Sequence, residues 1–223
     1  MTDPVKVPKV LQSLPDSDAK LLLRAGKTNH YARRDVLVQE GDVADSFHIV
    51  LDGHAAVQVT TPSGESAIVN ILGPDSHFGE VSLLGREEPQ RTASIVALEK
   101  VRTLSIPATV FRELRDRNPR LEQLVTTILA RRVDELSAQL VEAMYDSLER
   151  RVVRRLAALA RTYRSSSPEV TIPLTQEELS QLVGGARPSV NQVLRRLDDE
   201  GVLAVRRGRV VVNDVGRLDA LAT

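Results

Sequence analysis

Residues 174–212 read LTQEELSQLVGGARPSVNQVLRRLDDEGVLAVRRGRVVV. Thr175-Gln176-Glu177-Glu178 is a capping box: the threonine hydroxyl caps a backbone N–H while Glu178 reaches back. Leu179, Leu182 and Val183 give the helix that follows a buried face, and Gly184-Gly185 supplies a tight turn. A second helix starts near Arg187, with Pro188 in its first turn, where a missing N–H costs little. Val190, Val193, Leu194 and Leu197 share one side of that helix. Arg187, Ser189, Asn191, Gln192, Arg195 and Arg196 are left on the other. A helix that packs on its own domain and also enters a major groove needs its faces divided in this way. After Gly201, residues 202–205 and 209–212 read as two strands around an Arg206-Arg207-Gly208-Arg209 turn, a basic wing. The pattern is that of a winged helix-turn-helix. An unrelated helical hairpin with a basic surface is the plain alternative.

Each outward side chain has its own use on DNA. Arg187 offers a bidentate fork to guanine, Gln192 suits adenine, and Ser189 suits a base or a phosphate. Arg206, Arg207, Arg209 and Gln176 suit the phosphate backbone, which positions a protein without reading sequence. Thr175, Asn191 and Arg195 complete the expected DNA-contacting set.

Net charge over the 223 residues is zero, but it is unevenly distributed. Residues 148–223 carry 13 basic and 9 acidic side chains, and every cation there is an arginine. Residues 1–118 carry 14 against 16, and residues 119–147 carry 3 against 5. A basic C-terminal third on an acidic body is the footprint of a nucleic-acid-binding module, although arginine-rich surfaces are also simply solvated. Cysteine is absent, which excludes disulfides and thiolate metal sites. No apolar run approaches the roughly 20 residues that span a bilayer. The start Met1-Thr2-Asp3-Pro4-Val5-Lys6 lacks a secretory pattern, so a cytoplasmic protein without a membrane role is expected.

Upstream, residues 5–26 hold short helical patterns (Val10, Leu11 and Leu14, then Leu21, Leu22 and Leu23) ending at Gly26. Residues 31–106 are β-rich runs broken by turn signals. Examples are 36–38, 47–51, 55–60, 67–72 and 93–97, with breaks at Glu40-Gly41-Asp42, Asp52-Gly53, Pro62-Ser63-Gly64 and Gly73-Pro74-Asp75. Such spacing predicts an antiparallel sandwich or barrel. Residues 120–162 contain no glycine or proline and are free to be helical. Leu129, Val133, Leu136, Leu140, Ala143 and Ser147 alternate at spacings of four and three, an a/d seam that predicts pairing with a second copy. Packing of this stripe on its own β-domain is the other reading. Leu148, Val152, Val153, Leu156 and Leu159 open a further amphipathic helix. The expected fold is α+β, in three parts: 1–118 as a β-rich domain with flanking helices, 119–147 as dimerisation helix, and 148–223 as winged helix-turn-helix.

The densest chemistry of the first half is Phe78-Gly79-Glu80-Val81-Ser82, followed by Arg91-Thr92-Ala93. Gly79 lets backbone approach a ligand, Glu80 accepts from hydroxyls, and Arg91 with Thr92 suits a phosphate. Those groups fit a cyclic nucleotide. A structural Glu80–Arg91 salt bridge explains the same residues equally well.

From its N-terminal helices through its wing, the chain resembles the cyclic-AMP receptor protein (Crp–Fnr) family. Three glycines, a glutamate, an arginine and an alanine mark that family's cyclic-nucleotide-binding domain, a β-roll or double-stranded β-helix. They match Gly41, Gly53, Gly79, Glu80, Arg91 and Ala93. The resemblance implies that Glu80 holds a ribose 2′-hydroxyl and that Arg91 and Thr92 hold the cyclic phosphate. Val57, Val69, Asn70, Phe78 and Val81 would line the pocket, with Gly79, Ser82 and Ala93 beside them. Arg132, Leu136 and Ser137 would meet the nucleotide from the long helix. Where cyclic-AMP responders place threonine–serine to grip adenine, this chain has Leu136-Ser137, and leucine cannot donate to a base edge. Residues 85–90 are one longer than in the best-known member. Cyclic-AMP responders commonly begin the recognition helix with arginine–glutamate and carry a later arginine; here those places hold Arg187, Pro188 and Gln192. The half-site should therefore share one guanine and differ where the glutamate acts.

The resemblance also implies a homodimer on a near-palindromic operator, cyclic AMP ahead of cyclic GMP as effector, no required cofactor, and a contact to RNA polymerase through the loop at 163–169. A nucleotide-independent regulator, or one answering another ligand such as haem through His77, remains the alternative. A cupin-like metalloenzyme is disfavoured, because His30, His48, His54 and His77 lack close metal-ligand spacing and no nucleophile–base pair stands out.

Overall fold

Short β-rich runs broken by turns build most of the first half of the protein, and helices most of the second. The computed structural model describes residues 7–84, 89–115, 118–163 and 169–222. Contacts divide the chain into two compact units, residues 1–59 with 70–135, and residues 60–69 with 136–223.

In the first unit a short 3-10 turn (Lys9–Leu11) leads to α1 (Asp16–Ala25). Asp16 and Asp18 sit in the first turn of α1, where carboxylates oppose the helix dipole favourably. Strands β1 (Lys27–Tyr31), β2 (Val36–Val38), β3 (Ser46–Asp52), β4 (Ala55–Thr60), β5 (Ser66–Leu72), β6 (His77–Phe78), β7 (Ser94–Ala97) and β8 (Val101–Pro107) follow. They form two four-stranded sheets, ordered β1-β8-β3-β6 and β2-β7-β4-β5, as a β-roll requires. Helices α2 (Ala108–Arg115) and α3 (Pro119–Tyr145) come next. Phe47, Ile49, Leu104 and Ile106 from the first sheet share one core with Leu22, Phe111, Leu121, Leu124, Val125 and Ile128.

The packing reading of the α3 stripe therefore holds for one half of it. The N-terminal half is buried in this core, while Val133, Leu136, Leu140, Val141, Met144 and Tyr145 are exposed. One expected seam residue is misplaced. Ser147 lies beyond α3 and is the N-cap of α4 (Leu148–Thr162), its hydroxyl accepting from the Arg150 N–H at 3.3 Å. The helical stretch thus breaks without glycine or proline, because a serine that caps the next helix competes with continuation.

In the second unit α4 is followed by β9 (Val170–Ile172), α5 (Gln176–Val183), α6 (Arg187–Asp199), β10 (Leu203–Arg206), β11 (Arg209–Val212) and α7 (Val215–Leu221). The wing sheet has the order β10-β11-β9. Its first strand starts at Leu203 rather than Val202, and β9 and α7 extend the winged helix beyond the sequence reading. Strand β1 begins at Lys27, ahead of the expected β-rich region. Among the described residues no helix is long and apolar enough to cross a membrane.

Candidate functional site

Arg91 gathers part of the candidate ligand site around it. Its backbone is pinned to the Gly41 turn: Arg91 N–H donates to the Asp42 carbonyl at 2.8 Å, and Gly41 N–H to the Arg91 carbonyl at 2.9 Å. The side chain turns inward and is only 7% exposed. Nη1 donates to the Ser46 carbonyl and Nη2 to Ser46 Oγ, both at 2.9 Å. Asp45 lies 3.6 Å from Nη2. Burial draws the guanidinium pKa below its ordinary value, against the pull of Asp45, Asp42 and Glu80. The carboxylate paired with Arg91 is therefore Asp45, not the Glu80 of the salt-bridge alternative.

Gly79 makes this arrangement possible. Its φ is +84°, and a Cβ there would sit 2.6 Å from Arg91 Nη1 and 2.6 Å from the Ser46 carbonyl oxygen. Only glycine admits both the backbone conformation and the overlying guanidinium. Glu80 opens a 3-10 turn, Glu80–Leu84, that also carries Val81 and Ser82. Ser82 is buried and donates to the Gly79 carbonyl at 2.6 Å, which closes the turn. Phe78, on β6, stacks on His48 with centroids 4.6 Å apart. Thr92 is exposed and Ala93 half-buried beside Arg91.

Val57 is buried on β4, and Asn70 on β5 turns its side-chain oxygen to the Ile71 N–H at 2.9 Å. Arg132, on α3, is half-buried and faces Glu135 at 3.5 Å. Burial lowers the His77 pKa while Glu80 and Glu135 oppose and Arg131 and Arg132 add to the shift, so the turn and α3 share one electrostatic neighbourhood. Leu136 and Ser137 are exposed on α3, and with Val69 they fall in the other compact unit. Of residues 85–90, 85–88 lie outside the described residues.

Asp45, Ser46 and His48 were not singled out from the sequence. Their signal is a polar serine and histidine two apart on a strand whose next neighbours, Phe47, Ile49, Val50 and Leu51, are apolar, which on a buried face demands partners.

The elements of the helix-turn-helix stand as their sequence implies. The capping box is closed in both directions: Thr175 Oγ1 accepts from Glu178 N–H at 3.1 Å, and Glu178 Oε2 accepts from Thr175 N–H at 2.7 Å. The Thr175 hydroxyl also donates to Glu178 at 2.9 Å, so its first task is the cap. Gln176 is half-buried at the start of α5. Gly184 ends α5 in the left-handed conformation at φ +62°. A Cβ on Gly185 would meet Leu148 Cδ1 at 2.4 Å, which fixes the turn against α4. Val190, Leu194 and Leu197 of α6 are buried, while Arg187, Ser189, Gln192 and Arg195 are exposed. Arg187 lies 3.6 Å from Glu177. Asn191 is half-buried, its side-chain oxygen enclosed without a partner. Arg196 is tied to Glu149 at 2.7 Å and Glu200 at 3.5 Å, so it braces α6 on α4. Arg206, Arg207 and Arg209 are exposed on the wing. The loop expected to meet RNA polymerase falls largely on residues 164–168, outside the described residues.

Comparison with known proteins matches both halves. Residues 28–118 fit the cyclic nucleotide-binding domain, and residues 150–221 the Crp-like helix-turn-helix domain. A CRP-like cAMP-activated global transcriptional regulator of Mycobacterium tuberculosis is 27% identical over 212 residues, 94% of either chain. The cyclic AMP receptor protein of Thermus thermophilus is 28% identical over 213 residues, 96% of either chain. Among solved structures, FixK2 from Bradyrhizobium japonicum superposes with a TM-score of 0.75 at 14% identity, covering 89% of this chain and 98% of that one, a likeness of fold. With a nucleotide-binding domain and a DNA-binding domain joined in one chain, the protein is a ligand-responsive transcription regulator and belongs to the Crp–Fnr family.

Proposed function

We propose that the chain binds a cyclic nucleotide, cyclic AMP in preference to cyclic GMP, and that the ligand sets its affinity for a near-palindromic operator. The observation that carries this is Arg91, a buried cation folded over Gly79 and adjoining Glu80. Arg91 and Thr92 take the cyclic phosphate and Glu80 a ribose hydroxyl, with Phe78, Val57 and Asn70 around the base. The proposed parts are a sensor over 1–118, a dimerisation helix over 119–147 and a DNA-binding domain over 148–223. The dimer forms through the exposed apolar face of α3 and presents two α6 helices to major grooves about 34 Å apart. Arg187, Ser189, Gln192 and Arg195 meet the groove, and the wing arginines the backbone. The protein works without catalysis, in the cytoplasm, and contacts RNA polymerase through 163–169.

Calorimetry on the purified protein tests the sensor. Cyclic AMP is expected to bind, and Arg91→Ala to abolish binding while the far-ultraviolet signature of the fold persists. No heat with either cyclic nucleotide at millimolar concentration overturns the reading. Mobility shifts on selected DNA then test the coupling: equal affinity with and without nucleotide excludes gating.

A second reading draws on the same arginine. Two Arg91 N–H groups are already satisfied by Ser46, so the cation is at rest without a ligand, as in a regulator that binds DNA independently of nucleotide. Full operator affinity in nucleotide-free protein distinguishes it.

A further inference from the structure

The Ser46 hydroxyl makes three contacts, and counting its protons assigns a role to His48. Ser46 Oγ lies 2.9 Å from Arg91 Nη2, 2.8 Å from Asp45 Oδ1 and 3.0 Å from His48 Nε2. A hydroxyl has one proton and two lone pairs. Asp45 can only accept, so it takes the proton. Arg91 can only donate, so it fills one lone pair. The second lone pair faces His48, whose Nε2 must then carry a hydrogen.

The rest of the ring agrees with that tautomer. His48 is buried, and its Nδ1 is enclosed without a partner. A bare nitrogen lone pair is tolerated there more readily than an orphaned N–H. Burial, reinforced by the Arg91 cation and opposed by Asp45, pushes its pKa down to about 4, so the ring is neutral at pH 7. Stacking on Phe78 at an interplanar angle of 7° fixes the ring plane and so the direction of the N–H.

We propose that His48 is a positioning residue for Arg91: its Nε2–H holds the Ser46 hydroxyl in the orientation in which that oxygen receives Arg91 Nη2. His48 touches no ligand. It acts through Ser46 on the cation that takes the phosphate, and so this inference rests on the nucleotide reading above. Without the N–H, the Ser46 hydroxyl turns freely between Asp45 and the ring, and Arg91 loses a fixed anchor.

Two substitutions separate positioning from packing. His48→Phe keeps a ring on Phe78 and removes the donor. His48→Gln loses the stack but brings an amide N–H to the same reach. Calorimetry with cyclic AMP is expected to show binding weakened about fivefold to tenfold in His48→Phe, and within about twofold of wild type in His48→Gln. Thermal stability should fall in the opposite order, with His48→Gln the less stable. Affinity that follows stability, or wild-type affinity in His48→Phe, overturns the proposal.

A ligand-free readout keeps the two readings apart. In ¹⁵N spectra at pH 7, the His48 proton is expected on Nε2, and Arg91 guanidinium exchange should quicken in His48→Phe and recover in His48→Gln. A proton on Nδ1, or unchanged Arg91 exchange, refutes the role of His48 whether or not any nucleotide binds. If wild type binds neither cyclic nucleotide while these spectra behave as expected, the ligand reading fails and the positioning role stands.

Discussion

The neutral His48 ring has a consequence for stability as well as for Arg91. A histidine free in the unfolded chain titrates near 6.5, whereas burial first, and then the Arg91 cation, hold this one near 4. Between those values the unfolded chain binds the proton and the native one does not. Stability therefore falls as pH drops through that window, and is unaffected by this group above it. The full difference is about 3 kcal/mol, reached near pH 4. His77 is shifted in the same direction, so the two histidines add. Denaturant unfolding at several pH values should show wild type losing stability from pH 7 to 4.5 more steeply than His48→Phe. Parallel curves for the two proteins would show that His48 is protonated at no cost in the native state. Glu149 and Arg196 are also shifted, by their mutual hydrogen bond, but both are exposed, so water and salt screen that pair.

Elements differ in how far their own residues announce them. The helix-turn-helix was legible because each boundary is a local device: a capping box at Thr175, a left-handed glycine at 184, and a proline in the first turn of α6. Strand β1 was not, because Lys27-Thr28-Asn29-His30-Tyr31 is an edge strand paired only with β8, and its burial shows no clean alternation. What holds the end of α3 was also hidden. Arg151 reaches the Ala143 carbonyl at 3.4 Å, Arg154 pairs with Asp146 at 2.6 Å and Arg155 with Glu142 at 3.2 Å. These α4 arginines hold the end of α3 through contacts between two helices, which the periodicity of either helix does not report. The candidate pocket was half legible for the same reason. Gly79, Glu80 and Arg91 stand in a recognisable run, whereas Asp45, Ser46 and His48 matter only because β3 and Arg91 meet across 45 residues.

The turn between α5 and α6 permits a sharp test of this local logic. Gly185→Val places a branched side chain where Leu148 Cδ1 and Val190 Cγ2 already lie, 2.4 and 3.3 Å from the new Cβ. Such overpacking costs about 1–3 kcal/mol, and Leu148→Ala in the same chain should recover most of it because the obstructing atom belongs to a side chain. Gly184→Asn, where a Cβ meets nothing within 4 Å and asparagine tolerates the left-handed backbone, should stay close to wild type. Equal losses at the two glycines, measured by urea unfolding, would show that conformation rather than contact sets the turn.

At the scale of the whole molecule, the unresolved demand is the apolar surface that a single chain leaves in water. Val133, Leu136, Leu140, Val141, Met144 and Tyr145 lie within 13 consecutive positions of α3, and all are exposed. Scattered exposed apolar residues need no explanation, but six on one helix form a patch of the kind that marks an interface. For the proposed dimer, the basic third of the chain gives such a patch a use. A net charge of +4 over residues 148–223 holds one module on DNA weakly, and two joined modules bind as one only if something links them. Leu140→Glu puts a charge into the proposed seam at an exposed position, so the single chain should still fold, with its far-ultraviolet signature unchanged. Light scattering should then report a mass near the 24.5 kDa of one chain in place of twice that value. Operator affinity should fall on the order of 100-fold, since the second half-site no longer binds at high effective concentration. Cyclic AMP binding within each chain should be weakened far less. A Leu140→Glu protein that remains dimeric, or a monomer that binds the operator as tightly as wild type, would remove α3 from the path between ligand and DNA.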